Sequence, residues 1–466
     1  MCSINDAEFE SDEELMQPDE IAQIDGAICK KCNENKAEVL LRVKDAYCKT
    51  CFLAAATHKF RATVGKSKLV RPTDSILVGH SGKAGSTVLL HLIKAGMSEA
   101  VHKRLMYKTT VLYIDEGAVI GEPIEQRCSE ISAIQEQVNS LGFVGHVVPL
   151  SEALHNTEPK IYPLDCGLEI PSDDAELINL FGAISNYTSK EELLHKLRQK
   201  LLISVARSLG CCKIFTADGA TDLAIKILSN IALGRGAHLP LDVGFVDSRD
   251  SNIKILRPMR DFTRKELSYY LNFHKLKVVQ IPGLTTKKDA YVSIQNLTEK
   301  FVTELNTEFS GTVSAVFRTG EKLTTGNTQT TNSGKSCVLC SAPLDTIFTD
   351  TSSLQATEFS RLVSAEGPMG HIGKDAFQLK TFGNAAEATE NTATDGAKRC
   401  DNCSCSRSIE RPEKSVPDMD IHLCYGCRLI FRDLDKQHSM PEFLQNAVKQ
   451  QRSLDHMQKE IAEFLL

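Results

Sequence analysis

The sequence predicts an α/β protein: a parallel, doubly wound sheet flanked by an N-terminal and a C-terminal zinc-binding module. Three observations carry this. Between residues 70 and 310, β-branched and apolar runs alternate with amphipathic helical stretches, the pattern of a sheet covered on both faces. The first such run falls into a Gly/Ser/Lys loop, "ILVGHSGKAGSTVLL", and re-emerges as a helix. Cys-x2-Cys pairs sit on both sides of this region.

The elements follow in order. After the opening strand and a helix through Leu92 and Ile93 comes "TTVLYID", ending in Asp115-Glu116. The helical stretch "IEQRCSEISAIQEQVNSLG" closes on Gly142, where a C-cap belongs. Strand "FVGHVVPL", the long helix "SKEELLHKLRQKLLISVARSLG" ending at Gly210, strand "KIFTAD" and helix "ATDLAIKILSNIALGRG" come next. A late strand and helix lie in "IKILRPMRDFTRKELSYYLNFHKL". Ligands of such sheets bind beyond the C-terminal strand ends, so the loop and Asp115 are expected to line one pocket.

The loop is not a Walker A motif. Gly79 and Gly82 are separated by two residues instead of four, and Ala84 follows Lys83 where a hydroxyl residue is required. Nor is it a dinucleotide fingerprint, because Gly79, Gly82 and Gly85 recur every third residue.

Of the 466 residues 42% are hydrophobic and 24% charged, an ordinary globular balance. No apolar run approaches the roughly 20 residues of a membrane span, and the acidic N-terminus is unlike a signal peptide. A cytosolic protein with no membrane partner is expected. The net charge of −6 is unevenly spread. Residues 1–25 carry nine acids and no Lys or Arg, leaving 51 acids against 54 basic residues elsewhere, a net +3. A mildly basic body permits a nucleic-acid partner.

Sixteen cysteines without a secretion signal point to metal ligands or redox groups, since cytosolic thiols stay reduced. Cys29/Cys32 and Cys48/Cys51 have 15 residues between the pairs, within the window of a structural zinc site; reactive thiols are the other reading. Seven more cysteines lie near the C-terminus. A set of Cys337, Cys340, Cys424 and Cys427 is favoured because "CVLCSAP" and "CYGCRL" each open an apolar stretch, as ribbon knuckles do. Cys400 and Cys403, with 20 residues between that pair and Cys424/Cys427, and Cys405 are alternatives. Cys128, Cys166, Cys211 and Cys212 lack the spacing and read as buried small hydrophobes.

The expected organisation is an acidic, disordered tail (1–27), a zinc module (28–60), the α/β domain (70–310), a polar linker (319–335), a zinc ribbon-like module with a looped-out insert (336–432) and a C-terminal packing helix (440–466). Lys59, Arg61, Lys66, Lys68 and Arg71 form a basic connector suited to a phosphate backbone.

The loop resembles the pyrophosphate loop of the ATP pyrophosphatases, S-G-G-x-D-S, here Ser81-Gly82-Lys83-Ala84-Gly85-Ser86. Together with "CKTCF", "RPMRDFTRKEL" and "CVLC…CYGC" in this order, it resembles the cytoplasmic tRNA 2-thiolation family, in particular the line of its second subunit. The resemblance covers about residues 28 to 432. It implies an adenine nucleotide alpha hydrolase-like sheet in a complex that uses ATP to activate the C2 oxygen of a tRNA uridine for replacement by sulfur.

The departures imply that this chain is not the catalyst. Gly85 replaces the loop's Asp and Lys83 its second Gly; "TADGATD" keeps only Thr216 and Asp222 of T-G-H-N-x-D-D; the cysteines of active relatives are missing from "SNYTSKEELLHKLRQ" and "LKVVQIPG". Ser81, Gly82, Lys83, Ser86 and Asp115 are then vestigial nucleotide-site residues, with ATP at the partner subunit. The resemblance further implies a heterodimer with a related catalytic thiolase subunit, tRNAs for Lys, Glu and Gln as substrates, and sulfur from a thiocarboxylated ubiquitin-related modifier. Two rival readings are an active sulfurtransferase, with Cys211 or a C-terminal cysteine carrying sulfur, and a zinc-bearing interaction or nucleic-acid-binding protein unrelated to thiolation.

Overall fold

A computed structural model describes residues 26–41, 45–98, 104–165, 174–286, 288–323, 336–344, 417–432, 434 and 440–464. The chain divides into two units, Met1–Asp345 with His422–Leu466, and Thr346–Ile421. The second unit contributes only the helical turn Pro417–Asp420 and Ile421 to the described residues.

In the first unit, a small hairpin of β1 (Val39–Leu40) and β2 (Ala46–Tyr47) leads into α1 (Lys49–Ser67). The sheet follows: β3 (Ser75–Gly79), α2 (Ala84–Met97), β4 (Lys108–Asp115), α3 (Ile124–Ser140), β5 (Val144–Pro149), β6 (Tyr162–Pro163), α4 (Ala175–Ala183), α5 (Tyr187–Ser208), β7 (Lys213–Phe215), α6 (Ala220–Ala232), β8 (Val246–Asp247), β9 (Lys254–Leu256) and α7 (Arg264–His274). Helices α8 (Ile294–Glu308), α9 (Thr312–Glu321), α10 (Tyr425–Arg432) and α11 (Glu442–Phe464) complete it. No helix among the described residues is long and apolar enough to cross a membrane.

The strand order is β6-β5-β4-β3-β7-β9-β8. The five inner strands are parallel, and the short edge strands β6 and β8 pair antiparallel. Alternation along the strands explains the two covered faces. Ile76, Val78, Val111, Tyr113, Val147, Phe215 and Leu256 enter one core with α1, α2, α3 and α7, while the alternate residues Leu77, Leu112, Ile114, Val148, Ile214 and Ile255 are equally buried. Chain direction across the sheet reverses between β3 and β7, which opens a crevice at their C-terminal ends.

Gly142 and Gly210 adopt positive φ after α3 and α5, as helix stops require. At α7, Thr263 and Glu266 form the capping box that "DFTRKEL" encodes: Glu266 N donates to Thr263 Oγ1 (3.3 Å), and Thr263 N to Glu266 Oε2 (2.8 Å).

Three expectations change. The basic connector is not a linker, because Lys59, Arg61 and Lys66 lie on α1, whose Phe52, Ala56, Phe60 and Val64 are buried in the sheet core. The first module therefore has no boundary at residue 60; its second cysteine pair begins a core helix. The α/β domain does not stop near 310, since Phe317 on α9 packs with Leu223, Ile227, Leu239 and Val243, and α9 occupies the first residues of the expected linker. The tail at 1–25, residues 324–335 of the linker, the insert and Cys166 lie outside the described residues.

Candidate functional site

The loop after β3 is held closed on itself. Ser81 N donates to Ser86 Oγ (3.2 Å), the two hydroxyl oxygens are 3.2 Å apart, and Ser86 Oγ donates to Lys83 O (3.0 Å). Gly82 has φ +77, and a Cβ there would meet Ile134 Cδ1 at 2.5 Å and Val279 Cβ at 3.1 Å, so only glycine fits. Val279 N donates to Gly82 O (3.0 Å). Beneath the loop, buried His80 is hydrogen-bonded to Gln137, and burial lowers its pKa to about 4, which keeps it neutral.

Asp115 does not join this loop in a pocket. Its Oδ2 accepts from Arg127 Nε (2.9 Å) and Nη2 (2.6 Å), its Oδ1 accepts from Gly117 N (3.0 Å), and Arg127 Nη1 continues to Asp174 (2.8 Å). This is a buried, charge-assisted structural pair in which two guanidinium nitrogens converge on one carboxylate oxygen. The expectation of one pocket lined by the loop and Asp115 is therefore corrected.

Of the five loop and strand-end candidates, Lys83 alone lines the crevice cavity. The cavity holds about 110 Å³, below the roughly 300–1,000 Å³ of ligand pockets. Carboxylates crowd it: Glu191, Glu192, Asp218, Asp222 and Asp242, offset by Lys196, Arg198 and Lys226. Most are already engaged. Glu191 accepts from Thr285 (2.8 Å) and Ser293 (2.9 Å), Glu192 pairs with Arg235, and Arg198 with Glu116. Lys226 Nζ donates to His195 Nε2 (3.2 Å); burial lowers Lys226 to about 8, and the Lys226 charge together with burial keeps His195 neutral. Thr216 and Asp222 serve local structure, Thr216 Oγ1 donating to Asp218 (2.6 Å) and Asp222 capping Gly219 N (3.1 Å).

Sequence reasoning missed this buried polar cluster. A signal was present: Glu191, Glu192, His195, Lys196 and Arg198 form a charged stripe on a helix that also buries Leu193, Leu194 and Leu197, and Asp218, Asp222 and Lys226 recur every fourth residue.

The cysteines assemble in two sets, Cys29/Cys32/Cys48/Cys51 and Cys337/Cys340/Cys424/Cys427, and within each the four Sγ atoms lie within 4.8 Å of one another. A tetrahedron of thiolates about 2.3 Å from zinc has sulfur edges of about 3.8 Å. Cys32 and Cys48 are 3.9 Å apart, and Cys340 and Cys424 3.6 Å. The donor sets therefore fit a metal ion such as zinc. Both sites share a plan, with one pair on a tight turn through a positive-φ residue, Asn33 or Ser341, and the second pair entering a helix, α1 or α10. Burial would raise the Cys29 thiol, but backbone N–H groups of Cys32, Cys48 and Lys31 outweigh it and hold it down to about 6. Cys400, Cys403 and Cys405 lie outside the described residues.

Of the remaining cysteines, Cys211 is buried at the start of β7 against Ser75 (3.4 Å), at the opposite end of the sheet from the loop. Cys128 and Cys212 are partly exposed. No cysteine lines the cavity among the described residues.

The basic residues separate. Lys59 pairs with Glu266 and lies 4.9 Å over the Phe262 ring; Lys66, Lys68 and Arg71 are exposed; Arg61 is partly buried.

This geometry defines the class, a doubly wound α/β protein carrying two four-cysteine centres. A family model described as Cytoplasmic tRNA 2-thiolation protein 2 matches residues 293–429. Similar proteins bear that name along nearly the whole chain. In Xenopus laevis the 2-A protein is 32% identical, covering 95% of this chain and 94% of its own. The Danio rerio protein is 31% identical over 94% of each, and the Homo sapiens protein 31% identical over 89% and 88%. The chain belongs to the cytoplasmic tRNA 2-thiolation protein 2 family. Among solved structures, the U34-tRNA thiolase NcsA from Methanococcus maripaludis, with its [4Fe-4S] cluster, is similar at a TM-score of 0.48 and 17% identity, covering 66% of this chain and 94% of that one.

Proposed function

We propose that this chain acts in cytoplasmic tRNA thiolation as the non-catalytic, tRNA-binding and stabilising partner of a related ATP-dependent thiolase subunit. In this reading the heterodimer converts the wobble uridine of cytosolic tRNAs for Lys, Glu and Gln to 2-thiouridine, with sulfur delivered by a thiocarboxylated ubiquitin-related modifier. Both four-cysteine sets hold structural zinc, and ATP binds at the partner subunit.

The observation that carries the non-catalytic role is the crevice. A nucleotide triphosphate needs open backbone N–H groups and positive charge. Here the Ser81 N–H and the Ser81 and Ser86 hydroxyls are engaged within the loop, Asp115 is held by Arg127, and the cavity, only about 110 Å³, sets five carboxylates against Lys83, Lys196, Arg198 and Lys226, with Arg198 already paired to Glu116. Sulfur transfer also needs a thiolate beside the activated carbon, and the described cysteines outside the two sets are elsewhere.

The test replaces the cell's own copy with a Ser81→Ala, Lys83→Ala variant and measures 2-thiouridine in tRNA by mass spectrometry, after confirming that the catalytic subunit still co-purifies. Thiolation at the wild-type level is expected. Loss of thiolation in an intact complex would show that the loop still serves the reaction and would end the non-catalytic reading. Asp115 is left in place because its removal would break the buried Arg127 pair that holds this strand end.

A further inference from the structure

Resting on the tRNA-binding reading, we propose that the cleft between α1 and α2 is where this chain grips tRNA and receives an unpaired nucleotide, its base on the histidine floor and its phosphates at an arginine rim. The cleft has a volume of about 840 Å³, within the range of cavities that hold a small organic ligand. It is bounded by α1, the start of the β3 segment, α2, residues 104–107 and α7.

Its charge is one-sided. Arg61, Arg71 and Arg104 converge on it with His58, and among the described residues none that lines it is an Asp or Glu, although the whole chain carries six more acids than bases. Arg61 and Arg71 are ten residues apart and Arg104 lies in another segment, so only the fold makes them one surface. The same fold divides the basic run, since Lys59 turns to Glu266 on the other side of α1 while Lys66 and Lys68 stand outside the cleft.

The floor is aromatic. His91 and His274 have ring centroids 4.4 Å apart, and Tyr270 lies 4.6 Å from His274 and donates or accepts a 2.9 Å hydrogen bond with His91 Nδ1. Burial and the neighbouring His274 lower His91 to about 4, so this face is uncharged at neutral pH. His274 is exposed and presents a ring to the cleft; Leu53, Val70 and Met106 add apolar walls. Unstacked bases are bound on aromatic or histidine planes, with arginines on the backbone. A duplex offers no free base face, so the occupant is single-stranded.

The experiment measures tRNA binding by fluorescence anisotropy over a salt series, with the full chain alone and with its co-purified catalytic subunit. Arg61→Gln, Arg71→Gln, Arg104→Gln should together weaken binding tenfold or more and reduce the salt slope by roughly 0.7–0.9 for each phosphate no longer neutralised. His274→Ala should weaken it by roughly tenfold without changing the slope, because stacking carries no counter-ion release. A Lys66→Gln, Lys68→Gln control should stay within about twofold of wild type. If the triple variant loses its melting transition, His274→Ala, at an exposed residue of the floor, decides alone. Wild-type binding by the folded groove variants would overturn the cleft while leaving tRNA binding elsewhere on the chain. Failure of the wild-type chain to bind tRNA in either form would overturn the tRNA-binding reading itself. Retained tRNA binding with loss of the catalytic subunit would make the cleft a protein-docking surface and would also overturn the proposal.

Discussion

The two four-cysteine sites share one plan and live in opposite surroundings. In the N-terminal site Cys32 and Cys51 are partly exposed, the backing cluster is small (Ala37 and Leu40 with Ala27 and Ala46), and the nearby ion pair Lys30–Asp45 (2.7 Å) is on the surface. In the C-terminal site all four cysteines are buried. Arg235 Nη2 there donates to Gly426 O (2.9 Å), and α10 packs on α5.

A buried set of thiolates must be matched by buried charge. Lys196, 6% exposed, is held positive against the cost of burial by Asp242 and by the Cys340 and Cys427 sulfurs. Asp242 in turn is held ionised by Arg249 (2.7 Å) and Lys196, and Arg249 also pairs with Asp247. The difference teaches that one local device is a peripheral clip at one end of the chain and part of the domain interior at the other. The helix after the N-terminal site can hold its place without metal, because Phe52, Phe60 and Val64 anchor it in the core.

The largest effect should come from Cys427→Ser set against Cys32→Ser. A structural zinc site contributes roughly 10–16 kcal/mol, as much as the roughly 5–15 kcal/mol of a whole domain. Cys427→Ser should abolish the cooperative melting transition, while Cys32→Ser should release one metal equivalent and leave the sheet's circular dichroism unchanged. Equal behaviour of the two variants would erase the distinction. Next is Lys196→Met, which removes a buried cation from beside the Cys340 and Cys427 sulfurs while Asp242 keeps Arg249, and should cost about 3–5 kcal/mol in chemical denaturation; a cost below about 1 kcal/mol would show that the buried charges are not coupled to the site. Lys30→Ala at the N-terminal site should cost less than about 1 kcal/mol, as exposed pairs do, and a larger loss would mean that this periphery is tied to the core.

Much of the fold was legible in the residues. Apolar alternation marked the five parallel strands, and Gly142, Gly210 and the Thr263/Glu266 box marked helix ends, because these signals are local. The edge strands β6 and β8, two residues each, were too short to have a period. Helix α1 reads as a connector because its basic residues hide the Phe52, Ala56, Phe60, Val64 stripe, spaced four apart. In the crevice the loop was found but its state was not, since Arg127 reaches Asp115 from a different element.

By itself the sequence determined the strand-helix alternation, the knuckle spacing of the cysteine pairs and the departures from the pyrophosphate loop, all of which are set by residues a few positions apart. Only the tertiary structure decided which cysteines meet across the 84 positions from Cys340 to Cys424, that Asp115 is spent on Arg127, and that Arg61, Arg71 and Arg104 share a cleft with His274. The physical reason is that partnership depends on side-chain direction and on the burial of both groups, and these follow from how helices and strands pack, not from their order along the chain.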